Sequence, residues 1–226
     1  IAAFHDRPDD VVILYSNASS PHTRRLDSSV VLSQTVQTDN VYEGMYFEGM
    51  QVGYLTEQKI AQGLLKTKKM LIVPNCSHVE RSTRDAIEDF ARAGGKVVLV
   101  GDSLLYSPQG EPLAPIANLP TVGRLDGFID SDQARAILVP MLKESGVLPS
   151  ESIQVENGKD FPTVEWRFAV DPNGENYLYV MNMGHEPAQI TLPTSWNGAV
   201  DLLDGQTMAQ STTLNSLQFR MLKKKQ

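Results

Sequence analysis

The apolar residues of this chain follow two different patterns, one after the other. In the first, short apolar runs alternate with helical spacing. Val11 to Tyr15, Val52 to Leu55, Met70 to Val73 and Lys96 to Val100 are the runs. Such runs fill strands that are buried on both faces of a parallel sheet. Between the last two, Thr83, Ala86, Ile87, Phe90 and Ala91 make one helical stripe. Ser77 with Glu80, or Ser82 with Asp85, offers a capping box, and Gly94 a left-handed stop. That is a βαβ unit.

Helical spacing also joins Tyr42, Met45 and Tyr46 up to Gly49, and Ile60, Ala61, Leu64 and Leu65 behind a Thr56 cap. Ser131 caps a helix carrying Ala134, Ile137, Leu138, Met141 and Leu142, with a kink or break expected at Pro140 inside it and Gly146 ending it. Pro21 to Asn40 reads as a long loop with some helix, and Leu104 to Pro120 as a long surface loop.

The second pattern begins near Pro149. Val164, Trp166, Phe168 and Val170 alternate with polar neighbours, and turns are expected at Asp171–Gly174 and Gly184–Pro187. No helical period survives. The predicted fold class is therefore α/β: an open, mostly parallel sheet over residues 1–150, then a small antiparallel β-sandwich over 151–226. The boundary falls between Pro149 and Phe161.

Composition narrows the function classes. At 226 residues there is room for two cores. A net charge of −7 argues against nucleic acid and anionic membranes as partners. No apolar run approaches the ~20 residues of a membrane-spanning helix. The single cysteine excludes an intrachain disulfide and leaves the compartment open, cytoplasmic or secreted. Ile stands first where a complete chain would have Met, which fits a piece of a longer polypeptide.

Candidate chemistry lies mostly at strand ends. Cys76 sits where a helix N-terminus could lower its pKa, but Pro74 and His78 occupy the flanks where a nucleophile elbow wants glycine. Ser103 follows the Lys96–Val100 strand at the edge where open α/β sheets carry their sites, yet Leu105 takes the elbow's glycine position. His22 with Arg24 and Arg25 could meet an anionic group. Trp196, flanked by Ser195 and Asn197, is the more exposed tryptophan and a candidate for stacking on a sugar; Trp166 belongs to the core face. His5, His22, His78 and His185 lack metal-ligand spacing, and no glycine pattern cradles phosphate, so no cofactor is expected.

Four stretches carry a resemblance: Val11–Tyr15, Gly49–Leu55, Leu71–Asn75 and Phe90–Val98. Together they resemble the trimerisation domain of family 42 β-galactosidases, which is similar to a class I glutamine amidotransferase fold without its catalytic residues. Tyr177–Asn182 and Asp201–Gly205 are similar to the small β-sandwich that follows it. The resemblance implies a flavodoxin-like sheet, a catalytic TIM barrel upstream in the same parent chain, and a homo-oligomer. Carbohydrate is the implied substrate class. The family's two catalytic glutamates belong to the barrel, and the amidotransferase nucleophile would fall near Ser103. This chain would then be non-catalytic, its loops after Tyr15 and Ser103 bordering a neighbouring site. A carbohydrate-binding module, or a hydrolase using Ser103 or Cys76, is the alternative.

Overall fold

The computed structural model describes residues 2–5, 9–22, 24–25, 31–156 and 162–225, without the side chains of 2, 5, 24, 25, 31 and 32. In chain order the elements begin with α1 (Ala2–His5), β1 (Val11–Tyr15), a two-stranded ribbon of β2 (Arg24–Arg25) and β3 (Val31–Leu32), and α2 (Gln34–Tyr46). Next come β4 (Val52–Thr56), α3 (Glu57–Ala61), a 3-10 turn at Leu64–Thr67, β5 (Met70–Pro74), α4 (Arg81–Arg92), β6 (Lys96–Val100), β7 (Val122–Leu125) and α5 (Ser131–Glu144). The remainder is β8 (Gln154–Glu156), β9 (Val164–Val170), β10 (Asn176–Asn182), β11 (Ala188–Thr191), β12 (Val200–Asp201), β13 (Ser211–Leu214) and β14 (Phe219–Lys223).

Contacts divide the chain into two compact units. Asp9–Met45 and Gln51–Val147 form an α/β unit. The other unit takes in α1, Tyr46–Met50 and the chain from Leu148 onward.

The α/β unit is an open parallel sheet in the order β4-β1-β5-β6-β7. Numbered among themselves, its strands run 2-1-3-4-5, the flavodoxin-like order. The unbroken apolar runs are buried as a parallel sheet requires: all of β5 is buried, and so are four of the five residues in each of β1 and β6. Val12, Leu14, Leu71, Val73, Val97 and Leu99 face one core with Ile60 of α3 and Ile87 and Phe90 of α4.

Helix starts differ from the sequence reading. Thr56 caps α3, its side chain accepting from Lys59 N. The capping boxes at Ser77 and Ser82 do not form: Glu80 is the N-cap of α4 and makes no side-chain cap bond. In α5 the cap is Asp130, which forms a complete box with Gln133, and Ser131 is the first helical residue. Pro140 is accommodated within α5. The end of the polar stretch, Gln34 to Asn40, becomes the first half of α2, because its buried glutamine is satisfied at long range. Gln37 Nε2 donates to Ile129 O at 2.9 Å, and Ile129 N donates back to Gln37 Oε1 at 3.1 Å. Gly44 lets α2 and α5 touch, since a Cβ there would lie 2.8 Å from that of Ala134.

The second unit is a small antiparallel sandwich with sheets β12-β14-β10-β9 and β13-β11-β8. Its core joins Trp166, Leu178, Val180, Ile190, Trp196 and Leu222. Buried Asn182 ties the unit together: its amide nitrogen lies within donating distance of Glu186 O, Leu214 O and Asn215 O, and its oxygen accepts from Gly184 N. No helix among the described residues is long and apolar enough to cross a membrane.

Candidate functional site

In the 2-1-3-4-5 order the strand sequence reverses between β1 and β5, the switch point at which open α/β sheets place their sites. Two buried serines, Ser16 and Ser19, stand at the end of β1. Ser16 Oγ lies 2.7 Å from Glu57 Oε1 and 2.9 Å from His78 O, sharing one proton between them, and accepts from Ser19 N at 3.0 Å. Ser19 Oγ donates to His78 O and accepts from His78 N at 2.8 Å. The Gln34 amide, turned to suit, donates to Ser16 O and accepts from Ser16 N, each at 2.7 Å. The loop after β1 is thus fastened to the turn after β5 through main-chain atoms of His78.

The chain leaving β6 is laid beside the same turn. Leu104 N donates to Cys76 O at 2.8 Å, and Tyr106 N to Ser77 O at 2.9 Å. Two residues here hold left-handed backbone without being glycine: Asn75 (φ 50°) and Leu104 (φ 61°). Such positions are strained and persist where surrounding bonds fix them. Asn75 Oδ1 accepts from Asp102 N at 3.2 Å, and Leu104 is buried in the core. The strained residue after β6, where an elbow would present its nucleophile, is therefore an aliphatic one turned inward.

On this frame stands a ladder of rings. His22 and His78 stack with centroids 3.5 Å apart and 8° between planes, and Tyr106 lies 5.2 Å beyond His78. Ser77 Oγ is 2.9 Å from His78 Nδ1, a hydroxyl–imidazole contact of the kind that begins a nucleophile–base pair. Among the described residues no carboxylate hydrogen-bonds to either imidazole. Burial, and then the neighbouring His22, hold the His78 pKa below its ordinary value. The site can offer two imidazoles, a phenol and a hydroxyl to a polar ligand. Among the described residues no three His, Cys, Asp or Glu gather closely enough to hold a metal.

The sequence candidates scatter around this centre. His22 is in it. Arg24 lies in β2, and its side chain falls outside the described residues. Cys76 is fully buried, its Sγ 3.5 Å from both Leu14 O and Pro74 O, and burial pushes its pKa up, opposite to the activation a helix N-terminus would give. Ser103 is 6% exposed, and its Oγ lies 2.8 Å from Val73 O and Val100 O, where it ties the ends of two strands. Trp196 is the clearest correction. It is 2% exposed, not a surface ring; its Nε1 donates to Glu151 Oε2 at 2.9 Å, and Phe168 packs on it at 5.2 Å. Sequence reasoning missed Ser77, His78 and Tyr106 as a group. Their one linear signal is position: each follows a strand's carboxyl end.

No family model matches the chain, and no curated protein matches it by sequence. Solved structures do match by fold. An exo-carrageenase of family GH42 from Bacteroides ovatus aligns with a TM-score of 0.69 and 17% identity over 96% of this chain and 29% of that one. Gan42B, a GH42 β-galactosidase from G. stearothermophilus, gives 0.75 and 16% over 97% of this chain and 41% of its own. A β-galactosidase from Bacillus circulans sp. alkalophilus gives 0.70 and 14% over 96% and 41%. The chain spans well under half the length of these proteins and shares its fold with that part of them.

Proposed function

We propose that this chain is a non-catalytic region of a β-galactosidase-like glycoside hydrolase, accessory to a catalytic barrel in the same polypeptide. In this reading the α/β unit serves oligomerisation and supports the barrel, and the sandwich unit accompanies it. One observation carries the proposal: nearly all of this chain aligns with less than half of each matched enzyme, 29–41% of their lengths. Further support comes from the fate of the candidate nucleophiles. The Ser103 hydroxyl is committed to strand ends, the Cys76 thiol is buried and held protonated, and Leu104 fills the strained position.

The test is direct. The isolated chain is incubated with nitrophenyl β-galactosides, and its mass in solution is measured by sedimentation. No turnover and a defined oligomer are expected. Hydrolysis at enzymatic rates would overturn the non-catalytic reading, and a strict monomer the oligomerisation role.

A further inference from the structure

The opposite, amino-terminal edge of the parallel sheet carries a concave site. A groove of about 890 Å³ opens there between the Leu64–Thr67 turn, α4 and the turn leading into β6. That volume is in the range of small-molecule pockets. Its apolar wall is Ile60, Leu65, Ala86 and Phe90. The Phe90 ring lies directly on the Gly95 backbone, where an added Cβ would come within 2.2 Å of it. Gly63 and Gly94, also on the lining, have open space where a Cβ would project. The groove thus has an apolar wall and is bordered by bare backbone.

Its charge runs against that of the protein. A chain with a net charge of −7 places Lys66, Lys68, Lys69 and Lys96 around this one groove. Two are neutralised: Lys68 pairs with Asp9, and Lys69 with Asp10 at 2.7 Å. Lys66 and Lys96 have no carboxylate partner among the described residues, and both are exposed. Asp89, the carboxylate on the lining, biases an anion away from α4 and toward them.

We propose that the groove binds a small amphipathic anion: a flat apolar body against Phe90 and the Gly94–Gly95 backbone, with a carboxylate, sulfonate or phosphate held by Lys66 and Lys96. Apolar contact supplies most of the affinity, and the two ammoniums select sign and orientation. This inference does not depend on the galactosidase-like reading, because it rests on the lining and the charge of the groove alone.

The probe is 8-anilinonaphthalene-1-sulfonate, titrated into the full chain and followed by fluorescence and by amide NMR shifts. Saturable one-site binding is expected, with shifts at Gly63, Gly94 and Gly95. The Lys66→Glu/Lys96→Glu double variant should bind about tenfold more weakly. Ala86→Trp, which fills the groove, should remove the glycine shifts. N-phenyl-1-naphthylamine, the uncharged analogue, should bind more weakly to the parent and equally to the lysine variant. The proposal is overturned if the three glycines do not shift, or if the lysine variant binds like the parent. The lysine changes are on the surface and decide the matter even if Ala86→Trp fails to fold.

Discussion

The rings of His22 and His78 lie face to face, 3.5 Å between centroids, and join the loop after β1 to the turn after β5. Two imidazolium ions cannot share that spacing without repulsion. The folded state therefore favours neutral His78, whose pKa is lowered first by burial and then by His22. The sign follows from linkage: the contribution is present above the unfolded pKa of about 6.5 and is lost as pH falls below it. In an NMR titration His78 should protonate at lower pH than a free histidine. His22→Ala should move its midpoint partway back, because burial remains.

Glu151 supports Trp196 from the surface side. Its carboxylate accepts from Ser195 Oγ and from the buried indole nitrogen, and these bonds, Ser195 first, hold its pKa below the ordinary carboxylate value. Its contribution is full above that ordinary value and declines as pH falls through the lowered one. Glu151→Ala should cost about 1–3 kcal/mol by leaving the indole N–H unpaired. Trp196→Ala should cost about 3–5 kcal/mol. Denaturant unfolding checks both. A loss of sugar retention in Trp196→Ala would have to be read against that unfolding.

Gly49 and Gly94 make a matched pair. Both have positive φ, but a Cβ on Gly49 would lie 2.1 Å from the Trp166 ring, whereas one on Gly94 meets nothing within 4 Å. Gly94→Ala should cost about 1–2 kcal/mol, the left-handed penalty alone. Gly49→Ala adds overpacking of about 1–3 kcal/mol and should lower Tm distinctly more.

Ser103→Ala removes a hydroxyl that lies between Val73 O and Val100 O. Asn75 N also donates to Val100 O, so that carbonyl keeps a partner. The expected cost is about 1 kcal/mol in urea unfolding.

How much of this was legible follows from the range of the forces involved. The buried strands β1, β5 and β6 announce themselves, because two covered faces demand apolar residues at every position. α2 does not: Gln34 and Gln37 are buried through bonds to Ser16 and Ile129, partners that no local period reveals. β7 is an edge strand, and Val122–Leu125 is too exposed to show a run. Trp196 has polar neighbours in sequence, yet Ser195 serves the same carboxylate that accepts the indole N–H. The histidine pair needed the sheet order, since only that order brings the ends of β1 and β5 side by side.

The sandwich unit is assembled from separated lengths of chain. Phe4 of α1 packs edge-on against Tyr179 at 5.2 Å, and Arg167 lies over the Tyr46 ring at 5.2 Å. Gly49 leaves space for Trp166. During synthesis the α/β unit has all its parts once Val147 has emerged, while the early pieces of the sandwich must wait for strands made last. A proteolytic nick near residue 150 would therefore leave Tyr46, Gly49 and α1 on the wrong fragment. The released sandwich strands would expose the faces those segments cover, so aggregation of that fragment is the expected result of cleavage.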